Sequence, residues 1–145
     1  MTKKILLTLV LFWVFVFPVA ATSVKNDLMI DDAWIRLGPS IVKVYAGYFT
    51  IINKSPNESF QLLGVESDLF EKVEMHNTSI IDGMMRMEHL RHVDIPPNAK
   101  VEFSTSGKHL MMINKKKPIQ EGDVIPVTLL FSHNQSVDIS MPVRR

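Results

Sequence analysis

The sequence contains no cysteine. Disulfides, thiolate metal sites and thiol redox chemistry are thereby excluded, and a soft metal ion can be held only through methionine sulfur. Neither sign of charge is in excess, since 16 Lys and Arg stand against 15 Asp and Glu. The one basic run, Lys115 to Lys117, is too short for a nucleic-acid footprint and reads as a solvated loop. Few windows of helical length carry an apolar stripe at 3.6-residue spacing, so helix should be minor, with a single turn at 68–70. No internal repeat, low-complexity stretch or linker divides the chain. No Ser-His-Asp set stands in a supporting motif, and no carboxylate pair has useful spacing, which argues against an enzyme.

What is present begins with a leader. Lys3 and Lys4 precede an apolar run from Ile5 to Phe17, and Pro18-Val19-Ala20-Ala21 supplies small residues. This is the layout of a secretory signal peptide over residues 1–21, cut after Ala21. The alternative is a retained membrane anchor, for which 17 residues from Ile5 to Ala21 sit at the short limit of a bilayer span. With no cysteine after the run, a lipid anchor has no attachment residue. Loss of Lys3 and Lys4 changes the formal charge from +1 to −1.

Residues 22–145 then form one domain, long enough to bury about two-thirds of its unfolded surface. Short apolar runs rich in Val, Ile, Phe and Tyr alternate with Pro, Gly, Asn and Asp clusters, the pattern of an all-β, antiparallel sandwich. Strands are expected at 28–36, 44–53, 60–67, 72–77, 84–90, 101–104, 109–113, 124–131 and 137–141. Pro142 has no N–H for a ladder and should stop the last of them. In 44–53, Tyr45, Gly47, Phe49 and Ile51 share one face, and Ala46, Tyr48, Thr50 and Ile52 share the other. Neither set is strongly polar, which suits an interior strand. Trp34 is expected in the core, as are Met29, Met84 and Met141, since methionine mostly fills core gaps. His89, His92 and His133 are expected as surface or satisfied residues.

The stretch from Met75 to Met112 is different. Ten residues separate His76 from Met87, twenty-one separate Met87 from His109, and one separates His109 from Met111. Two imidazoles and two thioethers form a soft N2S2 set suited to Cu(I). His109 and Met111 are two apart on a strand, so they share a face while Leu110 turns the other way. His76 should lie just before a polar turn at Asn77-Thr78-Ser79, and Met87 in the strand after an Asp82-Gly83 turn. Three segments would then converge on a near-tetrahedral ion at one end of the sandwich. Met85 shares Met87's face on a regular strand, Met112 points away, and spacing leaves the role of Met75 open. Asp82, Glu88 and Asp94 are the carboxylates considered as partners for the ligand imidazoles.

The H-x10-M-x21-H-x-M spacing resembles the signature of the PCu(A)C family of periplasmic copper chaperones. Ala33-Trp34-Ile35-Arg36 is similar to the Ala-Trp-x-Arg opening of its domains, and the resemblance extends to Arg144. It implies a Greek-key β-sandwich of cupredoxin-like type, located in the periplasm. It also implies a monomeric Cu(I) metallochaperone with His76, Met87, His109 and Met111 as ligands. Such a protein would deliver copper to the CuA centre of cytochrome c oxidase, beside a Sco-type thiol assembly protein. Some relatives carry a His- and Met-rich tail that takes Cu(II). This sequence ends in MPVRR without one, so a second metal site is not expected. Two other readings are a copper buffer for resistance and an Ig-like interaction module whose His and Met are structural.

Overall fold

A computed structural model describes residues 27–39 and 41–145, so the expected signal peptide lies outside the described residues. Ten strands follow in order: β1 (Leu28–Arg36), β2 (Val44–Asn53), β3 (Phe60–Glu66), β4 (Phe70–Ile81), β5 (Met84–Leu90), β6 (Val93–Ile95), β7 (Lys100–Phe103), β8 (Lys108–Lys115), β9 (Val124–Phe131) and β10 (Gln135–Arg144). They form one open sheet in the order β5-β4-β8-β7-β2-β1-β10-β9-β3-β6, with β8 also paired to β2. Almost every pairing is antiparallel. The exceptions are short parallel contacts of β1 with β10 and of β7 with β8.

The β1–β10 link consists of Ile35 opposite Val143 and Arg36 opposite Arg144. On either side of it, alternate residues turn inward to a single apolar cluster. Tyr45, Phe49, Ile51, Phe103, Leu110 and Met112 come from one half, and Leu62, Ile125, Val127, Leu129, Met141 and Val143 from the other. The all-β sandwich-like architecture therefore follows from period-two patterning on strands with one buried face. β2 is interior, paired on both sides, as its two weakly polar faces predict. Opposite Leu110 it carries Gly47, where a Cβ would come within 3.2 Å of Leu110 Cβ. The missing side chain is what lets β8 pack this close.

Several sequence expectations change. β4 does not turn at Asn77-Thr78-Ser79. Those residues pair with Glu88, Met87 and Arg86 of β5, and the hairpin closes at Asp82-Gly83. Both turn residues have positive φ, 53° and 73°, the conformation of a two-residue primed turn. β6 was not expected because three residues are too few for a pattern. Buried Asn53 secures it, donating from its amide to the carbonyls of Ile95 and Pro96 and to that of Glu58 in the loop before β3. Residues 68–70 make a tight turn closed by Phe70 N–H on the Ser67 carbonyl. Lys115 ends β8 with its ammonium on the Tyr45 hydroxyl and is no loop residue.

Pro142 also fails to end its strand. Val143 makes both backbone bonds on the β9 side, with Asp123 and Gly122, so the preceding residue aims its nitrogen the other way. There the pairing with β1 begins only at Val143, and no ladder bond is lost. Trp34 leaves the core for a similar local reason. A bulge between Asp31 and Trp34, with Asp32 at φ 44°, inserts one residue and inverts the alternation of β1. Ile35 is thereby buried, and Trp34 packs on the outer face against Tyr48, with Arg144 over its ring.

Of the three methionines expected in the core, only Met141 is there, at 0% exposure; Met29 is 38% and Met84 57% exposed. Met29 lies on the outer side of β1 before the bulge, and Met84 lies at the hairpin end of an edge strand. Met141→Ala should therefore cost about 2–5 kcal/mol of unfolding free energy. Met29→Ala and Met84→Ala should each stay within about 1 kcal/mol of the parent. Urea titrations of the three variants check this, and a large loss for Met29→Ala would contradict the assignment of faces.

Candidate metal centre

The site is built on the outer face of β8, β4 and β5. Leu110 and Met112 on β8 and Met75 on β4 are buried in the core. The pleat then turns their neighbours His109, Met111, Glu74 and His76 outward. In register, His109 lies opposite His76, and His76 lies opposite His89. The result is a row of three imidazoles across three strands. Ring centroids are 6.1 Å apart for His76 and His109 and 5.5 Å for His76 and His89. His109 is the second residue of β8, next to the turn that joins β7 to β8.

The methionines flank this row on opposite sides. Met111, two residues beyond His109, lies opposite Glu74 of β4 and Ala46 of β2. Met87 lies opposite Thr78, two residues from His76 in the other direction. Met87 and His109 share an open recess of about 360 Å³ with Tyr48, Thr78, Ile80 and Met85. Met111 does not line that recess, and Met87 is 54% exposed. Met85 shares the face of Met87, while Met112 and Met75 point into the core.

Each of the two inner imidazoles has one nitrogen committed. His109 Nδ1 lies 3.0 Å from the Gly107 carbonyl, which can only accept, so Nδ1 carries the proton and Nε2 the lone pair. His76 Nε2 lies 3.0 Å from Glu74 Oε2. Hydrogen bonds from Lys72 and then from His76 pull the Glu74 carboxyl down from 4.5 to about 2. An ionised carboxylate only accepts, so Nε2 donates, and in the neutral ring the lone pair falls on Nδ1. That Nδ1 is buried with no hydrogen-bond partner. A buried, unpartnered acceptor is costly unless something is held there.

The donor set therefore suits a soft ion: two lone pairs on neighbouring strands with thioethers to either side. Among the described residues, no group of three His, Asp or Glu side chains is arranged to hold a metal by itself. The expected carboxylate partners are replaced. Asp94 accepts from Gln61, Glu88 lies opposite Asn77, and Asp82 sits in the hairpin turn. The signal that could have found Glu74 was its spacing two residues before His76, which on a strand means the same face. His89 is exposed, as expected, and the hairpin register brings it beside His76. His92 and His133 are exposed and lie elsewhere, near Asp94 and Glu58.

Because the Glu74 carboxyl titrates lower in the folded chain, its contribution to stability is complete above pH 4.5 and disappears as pH falls toward about 2. Denaturant titrations of the parent and of Glu74→Gln from neutral to acid pH should show a constant gap that closes across this window. A gap that persists unchanged at the acid end would mean that the carboxylate is not paired as described.

Comparison with known proteins bears on the family and the fold. The family model described as "Putative lipoprotein LpqE-like" matches residues 28–143. The uncharacterized protein RP573 of Rickettsia prowazekii is 31% identical over 139 residues, covering 85% of this chain and 74% of that protein. Among solved structures, the copper-bound PCuAC domain from PmoF2 has a TM-score of 0.68 at 22% identity, covering 82% of this chain and 93% of its own. The Cu(I) form of DR1885 from Deinococcus radiodurans has a TM-score of 0.66 at 22% identity, covering 86% and 83%. The chain belongs to the LpqE-like family and has the fold of PCuAC domains.

Proposed function

We propose that the protein is an exported, periplasmic Cu(I) metallochaperone that holds one ion through His76, His109, Met87 and Met111. The observation that carries this reading is the pair of adjacent imidazoles whose other nitrogens are taken by Glu74 and Gly107. Such outer partners fix ring orientation and raise ligand basicity. The copper-bound state of the similar PmoF2 and DR1885 domains supports copper as the ion. Thioethers on both sides favour Cu(I) over harder ions. Without a thiolate, the set holds copper in a form that a stronger acceptor can withdraw. The His and Met spacing further supports delivery to the CuA centre of cytochrome c oxidase, beside a Sco-type thiol protein. Copper is cargo in this reading, and the protein performs no catalysis.

Titration should give one Cu(I) per chain, with Zn(II) unable to displace it. Equal or tighter Zn(II) binding would refute the N2S2 assignment. Glu74→Gln should weaken Cu(I) binding about 10–100-fold, the range for groups that orient a ligand. Met87→Ala and Met111→Ala should each weaken it at least as much.

Truncating half-exposed Met87 should leave the unfolding midpoint of the copper-free protein nearly unchanged. In cells, loss of the protein should lower oxidase activity when copper is scarce, and added copper should restore it. Copper sensitivity with normal oxidase would instead indicate a buffer.

A further inference from the structure

The two edges of the sheet are unlike. At one end β6 is three residues long, Val93–Ile95, and too short to template another chain. At the other end β5 runs for seven residues without Pro or bulge, and its only charged side chains are Arg86 and Glu88. Its hairpin exposes apolar surface: Met84 at 57%, Met85 at 74%, Met87 at 54%, Ile80 at 73% and Ile81 at 48%. Among the described residues no strand covers the free side of β5.

The direction of its backbone groups can be derived. Thr78 donates its N–H to the Gly107 carbonyl at 3.1 Å, on the β8 side of β4. Thr78 and Met87 therefore form a non-hydrogen-bonded pair across β4 and β5. The N–H and C=O of Met87 point to the open edge. By the two-residue period, and with no bulge in β5, so do those of Met85 and His89.

We propose that β5 is a self-pairing edge, through which two copies of this chain join antiparallel about a two-fold axis at Met87. Complete overlap of the seven residues allows one register. In it Met84 meets the partner's Leu90, Met85 the partner's His89, and Arg86 the partner's Glu88, with Met87 beside the partner's Met87. The outward backbone groups of Met85, Met87 and His89 are the ones this register requires. Its charges are complementary, two Arg–Glu pairs being related by the axis. Centring on Arg86 or Glu88 sets like charges opposite each other, centring on Met85 sets Glu88 against the partner's Asp82, and centring on His89 loses both Arg–Glu pairs. The occupant that matches this edge in length, hydrogen-bond phase and charge is thus the strand itself. The pairing departs from the monomer expected above and rests on strand geometry, independently of the copper reading.

Sedimentation equilibrium of the copper-free protein, purified from cells producing the full chain, tests the pairing. The parent should show a monomer–dimer equilibrium. Arg86→Glu and Glu88→Arg each replace two attractive pairs by two repulsive ones and should raise the dissociation constant about tenfold or more. The double reversal should restore it. Both positions are exposed, and circular dichroism confirms that each variant keeps its strands. A parent that stays monomeric up to its solubility limit overturns the proposal and leaves the edge to another protein. A dimer indifferent to both single reversals, or one not restored by the double, overturns it as well.

Discussion

The register between β4 and β8 is the constraint on which the site depends. His76 faces His109 because Met75 faces Leu110 one position earlier and both of those are buried. A slip of one residue would drive Leu110 and Met112 into water and the imidazoles into the core, a change that burial forbids. The apolar face thus sets the polar one. Gly47 belongs to the same constraint, since the close approach of β2 holds β8 in place from its other side.

Given that register, ordinary hydrogen bonds prepare the two rings. Glu74 lies two residues from His76 on the same strand, and Gly107 lies two residues before His109. Each occupies one ring nitrogen and leaves the other as a lone pair. The buried unpartnered Nδ1 of His76 is the structural cost of this arrangement. Coordination would offset it.

The β4–β5 hairpin brings the exposed half of the site and the open edge of the sheet together. Met87 sits beside the imidazole row and at the centre of the free strand, with Met85 two residues away on the same face.

The sequence by itself determined the all-β class, because apolar residues at period two leave no other way to bury a core. It determined most strand positions as well, and the four His and Met positions whose spacing resembles a known signature. On β8 it determined that His109 and Met111 share a face, since that relation lies within a single strand. Relations between strands were decided by the tertiary structure. His89 lies beside His76 only through the register of the hairpin, and His76 beside His109 only through the pairing of β4 with β8. Trp34 and Met29 lie outside the core because a bulge and a strand face, invisible as composition, set their direction. Met84 lies outside because its strand is an edge. A side chain's chemistry is local, whereas its burial is a property of whatever packs against it, and only folding supplies that neighbour.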